Sequence, residues 1–154
     1  MMMNLKLTKD GGKPIQEPEM FRRLVGRPLY LTMMRPDISY TVYQLSQFVA
    51  EPTHKHLHAA HHLLKYLKGT VSHALFYPRA SGLEIIGFSD ADWSSCLHTR
   101  RSLIGYCIYL GSASISWKTK KQATISCSST EVEYRALVAT AVEKQWIVYI
   151  IRYL

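Results

Sequence analysis

The spacing of apolar residues divides the chain into a helical first part and a strand-rich second part. Between residues 19 and 68, apolar residues recur every three or four positions, which is typical of amphipathic helices. The pattern predicts helices over residues 19–33, 36–52 and 53–68. We expect Pro28 to kink or split the first helix, because proline removes a backbone donor and crowds the preceding turn.

From residue 73 onward the apolar residues form short runs rich in β-branched and aromatic side chains, separated by turn residues. These runs predict five strands, at residues 73–77, 83–89, 103–110, 113–118 and 123–127. A long helix is predicted to begin at Thr130 and to run almost to the last residue. Its inward-facing stripe is expected to comprise Ala136, Ala139, Val142, Trp146 and Ile150.

The predicted fold class is therefore α+β, with antiparallel strands and a long helix following a group of helices. Residues 1–18, which contain paired glycines and two prolines, are expected to form a linker or tail. Residues 19–72 would form a helical region, and residues 73–154 would form the strand-rich domain.

Length, charge and cysteine content narrow the function classes. A chain of 154 residues suits one ordinary domain or two very small ones, and it excludes an intact polymerase or kinase. The formal charge of +8 fits a nucleic-acid partner, but it also fits a surface that is basic only for solubility. Three cysteines without a CxxC pair argue against a disulfide framework. With no signal-peptide pattern and no apolar run of bilayer length, we expect an intracellular protein without a membrane partner.

Four carboxylates flank the predicted junction of strand and helix. Asp90 and Asp92 follow the second predicted strand, and Glu131 and Glu133 lie in the first turn of the long helix. Acids at a strand end and a neighbouring helix start can converge on Mg²⁺, which prefers oxygen ligands. The alternative is structural, with Thr130 and Glu133 as a capping box and the aspartates as ordinary turn residues.

Five histidines lie within nine residues of the third predicted helix: His54, His56, His58, His61 and His62. Two pairs have the i, i+4 spacing that can hold zinc on a helix. No third ligand is evident in the sequence, so an exposed helix face is the favoured interpretation.

Several short motifs, in the same order along the chain, resemble the Pol polyproteins of copia-type LTR retrotransposons. FRRLVG (21–26), LYLT (29–32), RPDIS (35–39) and LLKYLKGT (63–70) are similar to the end of the reverse transcriptase region. FSDADW (88–93), TRRS (99–102), GY (105–106), ISWK (115–118), KKQ (120–122) and SSTEVEYRA (128–136) resemble the beginning of the RNase H domain. The resemblance covers about residues 15–154 and predicts thumb-like helices followed by an incomplete RNase H-like fold.

The resemblance implies a specific ancestral chemistry. RNase H domains of this family use four carboxylates and two Mg²⁺ ions to cut the RNA strand of an RNA–DNA hybrid. Asp90 resembles the first catalytic aspartate and Glu133 resembles the catalytic glutamate, whereas Asp92 and Glu131 resemble neighbouring non-catalytic acids. The third and fourth catalytic aspartates have no counterpart in this sequence, so we expect Mg²⁺ binding to be weak or absent and the chain to be inactive alone.

Basic residues near these motifs are candidates for phosphate contacts or, equally, for a solvated basic face. They are Arg100, Arg101, Lys118, Lys120 and Lys121 in the second part, and Arg22, Arg23 and Arg27 on the first helix. Two hypotheses follow: an inactive Pol fragment, or a non-catalytic module that a host retains to bind nucleic acid such as an RNA–DNA hybrid. A weaker third is a nuclease completed by another chain. The sequence leaves the oligomeric state open.

Overall fold

The computed structural model of the protein describes residues 7–8, 12–96 and 98–153. The chain divides into two compact units, Met1–Ala74 and Leu75–Leu154. The first unit is helical and the second combines a sheet with a helix, so the mixed α+β class predicted from the sequence is confirmed. Within the described residues, no helix combines the length and the apolar character that a membrane span requires.

Three helices and a short 3₁₀ turn build the first unit. Helix α1 spans Pro18–Leu31, the 3₁₀ turn spans Pro36–Ile38, α2 spans Ser39–Ser46 and α3 spans His54–Gly69. Their apolar faces meet in one core. The core residues are Ile15, Phe21, Val25, Ile38, Val42, Leu45, Ala60 and Leu63.

The helix boundaries differ from the predicted ones at two places. Pro28 does not split α1, which continues for one more turn, and the Pro28 carbonyl accepts a hydrogen bond from the Thr32 amide. Pro28 has no amide hydrogen, so the helix loses one backbone hydrogen bond there. Its ring is buried and contributes to packing instead. The second helix ends at Ser46, well before Pro52.

The start of α3 is held by a cap whose second member is a histidine. Thr53 is the N-cap residue, and His56 Nδ1 accepts a hydrogen bond from the Thr53 amide at 3.0 Å. Residues 13–15 lie extended beside this cap, where the His54 amide donates to the Lys13 carbonyl at 3.1 Å. Of the predicted linker or tail, residues 1–6 and 9–11 lie outside the described residues.

A side-chain network ties the turn before α2 to the end of α3. Arg35 donates two hydrogen bonds to the Asp37 carboxylate, at 2.9 and 2.7 Å, and one to the Thr70 carbonyl at 2.9 Å. The Tyr66 hydroxyl donates to Asp37 at 2.9 Å. These bonds hold the pKa of the Asp37 carboxyl below its ordinary value, chiefly through the guanidinium of Arg35.

The second unit is a three-stranded antiparallel sheet with one long helix. Strand β1 spans Ile85–Asp92, β2 spans Leu103–Leu110 and β3 spans Ala113–Lys121, in the spatial order β1-β2-β3. Gly111 forms the hairpin turn between β2 and β3 with a φ of 57°, a left-handed conformation that favours glycine. Helix α4 spans Ser129–Tyr153 and packs against β1 and β2.

Two of the five predicted strands are not strands. Residues 73–77 and 123–127 are extended or bent segments without ladder partners. Their β-branched and aromatic residues satisfy the local pattern, but a strand also requires a neighbouring strand with which to exchange hydrogen bonds.

The predicted inward stripe of α4 is also largely wrong. Ala136 is buried as expected, but Val142 and Trp146 are more than half exposed. The residues that face the sheet are Val132, Ala136, Thr140 and Ile147. This side of the helix contains a threonine, so it is less apolar than the stripe that the sequence pattern suggested.

Candidate carboxylate site and basic loop

Asp90 and Asp92 lie inside strand β1, because the strand extends to Asp92 and does not end at residue 89. At Gly87 a Cβ would lie 2.9 Å from the Thr140 methyl of α4, so this position faces the helix. The β1–β2 register is continuous from Ile85 to Asp92, and side chains alternate along a strand. Asp90 and Asp92 therefore project from the opposite face of the sheet, and both are exposed.

The N-terminus of α4 is capped by Ser128 and Glu131. The Glu131 amide donates to Ser128 Oγ at 3.1 Å, and the Glu131 carboxylate accepts from the Cys127 amide at 2.7 Å. Glu131 also pairs with Arg135 at 2.6 Å. The predicted capping box of Thr130 and Glu133 is therefore wrong by two residues, because Ser128 and Glu131 cap the helix instead.

Glu133 is left without a capping role and is exposed. Across residues 7–8, 12–96 and 98–153, neither Glu133 nor Asp90 takes part in a side-chain hydrogen bond or an ion pair. The structural alternative suggested for Glu133 thus applies to Glu131 instead. Asp90 and Glu133 are carboxylates with no structural task that the described residues reveal.

The end of β1 is tied to the segment that precedes α4. The indole of Trp93 donates to the Ser126 carbonyl at 3.1 Å, and the Ser126 hydroxyl donates to Gln122 at 2.8 Å. The Gln122 amide in turn donates to the Ser102 carbonyl at 2.9 Å. These bonds join the β1–β2 loop to the β3–α4 connection, and they bring the segments that carry Asp90 and Glu133 to the same end of the unit.

The donor set at this end is small. In the described ranges, no three His, Cys, Asp or Glu side chains form a group that could hold a metal ion. Two exposed carboxylates do not fit a two-metal centre, which needs several oxygen ligands on each ion. No hydrolytic step therefore follows from the residues that the structure describes.

The basic candidates of this unit are distributed over a loop and two sheet faces. Arg100 and Arg101 are exposed in the β1–β2 loop, where the Arg100 amide donates to the Cys96 carbonyl at 2.8 Å. Strand alternation puts Lys118 and Lys120 on one face of β3 and Lys121 on the other. The three lysines therefore do not form one cluster at the strand end.

Sequence reasoning missed the environment of Cys96. Burial raises the pKa of its thiol, but hydrogen bonds from Lys121 and Thr99 outweigh burial and lower the pKa to about 7. The loop that wraps the thiol also contains Arg100 in a left-handed conformation, with a φ of 52°. Nothing in the sequence pattern signals this, because the contact with Lys121 depends on the strand register.

The candidate residues of the helical unit have mixed roles. Arg22 donates from Nε to the Val49 carbonyl at 3.0 Å and so links α1 to the chain after α2, while Arg23 and Arg27 are not buried. His56 is fully buried and stacks on Phe48 with ring centroids 4.1 Å apart, so the expected exposed face of histidines does not include it.

Sequence comparison finds relatives that are 40–47% identical to this chain over most of its length. The chain is 44% identical to the retrovirus-related Pol polyprotein from transposon RE1 of Arabidopsis thaliana over 92% of its own length and 10% of that polyprotein. It is 47% identical to mitochondrial protein AtMg00810 of the same plant, covering 84% of this chain and 54% of that protein.

A third relative is the secreted RxLR effector protein 161 of Plasmopara viticola, at 40% identity over 80% of this chain and 87% of the relative. No family model and no solved structure matches the chain significantly. The chain spans about half the length of AtMg00810 and a tenth of the polyproteins. It belongs to the family of retrovirus-related Pol polyproteins from transposons.

Proposed function

We propose that the chain is the segment of a copia-type Pol polyprotein in which the end of the reverse transcriptase region passes into the beginning of an RNase H domain. The observation that supports this most directly is the position of two acids. Asp90 lies on the first of three antiparallel strands and Glu133 on the helix that follows them. The hydrogen bond between Trp93 and Ser126 joins the segments that carry these acids.

These 154 residues do not hydrolyse an RNA–DNA hybrid by themselves. Asp90 and Glu133 supply only two carboxylates, and Asp90 projects from the sheet face opposite α4. A Mg²⁺ ion with so few protein ligands keeps most of its waters and binds weakly. Phosphodiester hydrolysis by this chemistry requires two ions, one for the attacking and one for the leaving oxygen. The proposed function is thus that of an inactive part of a Pol enzyme.

Incubation of the full chain with an RNA–DNA hybrid and Mg²⁺ tests this proposal, with Asp90→Asn as the variant. Asp92→Asn is the matched control, because Asp92 lies on the same strand and the same sheet face. We expect no cleavage by any of the three proteins. Cleavage that Asp90→Asn abolishes and Asp92→Asn preserves would contradict the proposal of inactivity.

Weak metal binding supplies a positive measurement on the same residues. We expect Mn²⁺ to broaden the NMR signal of the Asp90 amide, with the effect lost in Asp90→Asn and kept in Asp92→Asn, whereas broadening at Glu133 should not depend on Asp90 because the Asp90 side chain projects from the sheet face opposite α4. Broadening confined to other carboxylates would remove the support for an ancestral site at these two residues.

The second candidate function, a nucleic-acid-binding module, is favoured by the basic β1–β2 loop. Arg100 and Arg101 are exposed, and no ion pair with an acid involves them within the described ranges. Arginines in this state can contact phosphates and release counterions. Binding of a labelled hybrid should then weaken linearly with salt on a double-logarithmic plot.

Replacement of both arginines by glutamine should reduce that salt slope by about two. Lys144→Gln, which removes an exposed positive charge from α4, is the control and should leave the slope unchanged. If the wild-type chain does not bind at low salt, this candidate function is wrong, whereas the Pol fragment proposal is unaffected.

A further inference from the structure

Histidines cover one side of α3 that does not pack into the core of the first unit. His56 belongs to the cap and is buried, whereas His54, His58 and His61 are exposed and His62 is half-buried. In the described part of the chain, none of the other four imidazoles takes part in a hydrogen bond or an ion pair. An imidazole in this state keeps a nitrogen lone pair available for a metal ion.

Two of these rings are already in contact. The His58 and His62 rings lie with their centroids 5.0 Å apart and their planes at 70°. The two residues are one helical turn apart, at the i, i+4 spacing that places side chains on the same face. We propose that His58 and His62 together bind a divalent transition-metal cation such as Zn²⁺ or Ni²⁺.

The separation of the two rings matches that of two imidazoles on one metal ion. A metal–nitrogen bond of about 2.0–2.1 Å places the ion roughly 3.1 Å from the centroid of the ring that binds it. Two rings at the tetrahedral angle would then have centroids about 5.1 Å apart, and two rings at a right angle about 4.5 Å. The observed 5.0 Å lies between these values. Because His58 is exposed, its ring can turn about the Cβ–Cγ bond until one nitrogen of each ring faces the same point.

The helix holds the pair at this spacing before an ion binds. Ala60, between the two histidines, is fully buried, and Leu63, next to His62, is 2% exposed, so this turn of α3 is anchored in the core. The guanidinium of Arg35 fixes the end of the helix through the Thr70 carbonyl. A site on a rigid helix loses little conformational freedom on binding, which favours chelation by both rings.

The chemistry of the ligands selects the class of ion. Imidazole suits Zn²⁺, Ni²⁺ and Cu²⁺, whereas Mg²⁺ prefers oxygen ligands and keeps its waters. Since no group of three suitable side chains occurs among the described residues, the two histidines would leave the remaining positions on the ion to water. Exposed Lys65, three residues after His62, adds a repulsive charge. We therefore expect an open, exchangeable site that binds far more weakly than a structural zinc site with four protein ligands.

Titration calorimetry of the full chain with Ni²⁺ tests the proposal, at about pH 7.5 because imidazole must be neutral to bind a metal. We expect one Ni²⁺ ion to bind at a site that His58→Gln and His62→Gln each weaken at least about tenfold, because the chelate loses one of its two ligands. An excess of Mg²⁺ should not displace the ion.

His54→Gln is the matched control. His54 precedes His58 by the same four residues, but within the described ranges the His58 ring contacts the ring of His62 and not that of His54. This variant should leave the affinity for Ni²⁺ unchanged. Far-UV circular dichroism checks that every variant is folded.

Chemical modification identifies the ligands directly. Diethyl pyrocarbonate acylates the ring nitrogen of histidine, and tandem mass spectrometry locates the modified residues. Ni²⁺ should slow the modification of His58 and His62 and leave His54 at its metal-free rate.

A chain that binds no Ni²⁺ at micromolar concentrations would overturn the proposal, as would binding that survives both His58→Gln and His62→Gln. The two rings would then be an aromatic pair only. Equal losses in His54→Gln and His62→Gln would also contradict it, because the site would not be the pair in contact. None of these outcomes bears on the Pol fragment proposal, since both histidines lie in the first unit and Asp90 and Glu133 lie in the second.

Discussion

The packing of β1 against α4 depends on the absence of a side chain at Gly87. A Cβ at this position would lie 2.9 Å from the Thr140 methyl carbon, which is closer than carbon atoms pack in proteins. Thr140 cannot easily rotate away, because its hydroxyl donates to the Ala136 carbonyl at 2.8 Å. Gly87→Ala should therefore force the strand and the helix apart.

The expected cost follows from two opposing effects. Overpacking of a tightly packed contact costs about 1–3 kcal/mol. Replacing glycine by alanine inside a strand returns about 0.5–1 kcal/mol, because the unfolded chain loses conformational freedom. We therefore expect Gly87→Ala to lower the free energy of unfolding of the second unit by about 1–2 kcal/mol.

Urea denaturation followed by tryptophan fluorescence measures this unit selectively. All three tryptophans, Trp93, Trp117 and Trp146, belong to residues 75–154. Gly105→Ala is the matched control in the neighbouring strand, because a Cβ there would meet only the Lys118 carbonyl at an ordinary 3.7 Å. The control variant should be neutral or slightly stabilising.

Thr140→Ser completes a double-mutant cycle, since it removes the obstructing methyl group and keeps the hydroxyl that bonds to Ala136. In this background Gly87→Ala should no longer destabilise, which gives a coupling energy of at least about 1 kcal/mol. An equal cost of Gly87→Ala in both backgrounds would refute the close contact between Gly87 and Thr140.

Three further predictions concern caps and ionisable groups. Burial lowers the pKa of His56, so the unfolded chain binds the proton before the folded chain does as the pH falls. The protection of α3 amides against hydrogen exchange should therefore decrease below about pH 6.5 and level off below the pKa of the folded state. His56→Gln should remove this pH dependence. Arg35→Lys cannot reproduce the paired bonds to Asp37 and should cost about 1–2 kcal/mol in the same exchange experiment, whereas unchanged protection would contradict a stabilising role. Glu131→Ala should lower the free energy of unfolding of the second unit by about 1 kcal/mol in urea denaturation, and Glu133→Ala by less than about 0.5 kcal/mol. A larger cost for Glu133→Ala would show that Glu133 caps α4, as the capping box in the sequence suggested.

Local patterns in the sequence predict most of the elements and few of their contacts. Thr53 and the apolar period after it locate α3, because capping and helical spacing are properties of a short stretch of chain. Residues 73–77 and 123–127 carry equally good strand patterns and have no partner strand. The sequence pattern does not predict the burial of His56 either, because that burial depends on contacts with Phe48 and with the N-cap residue Thr53.

At the candidate site, too, the sequence predicts the residues but not their contacts. The motifs identify Asp90 and Glu133 as the matching acids, but they cannot show which acid caps α4. The hydrogen bond from the Cys127 amide decides that question in favour of Glu131. Glu133 is therefore left without a capping role, and its assignment to an ancestral metal site stays a prediction.

Helix α4 cannot be oriented from its sequence, because apolar residues occupy nearly its whole circumference. The side that packs on the sheet is selected by fit and by polar contacts. Thr140 fits against Gly87, and Glu143 accepts a hydrogen bond from Ser116 at 2.9 Å. Burial raises the pKa of Tyr106 on the facing strand, and the nearby Glu143 carboxylate raises it further. The sheet thus takes the side of α4 that carries Thr140 and Glu143, and larger apolar side chains such as Trp146 stay exposed.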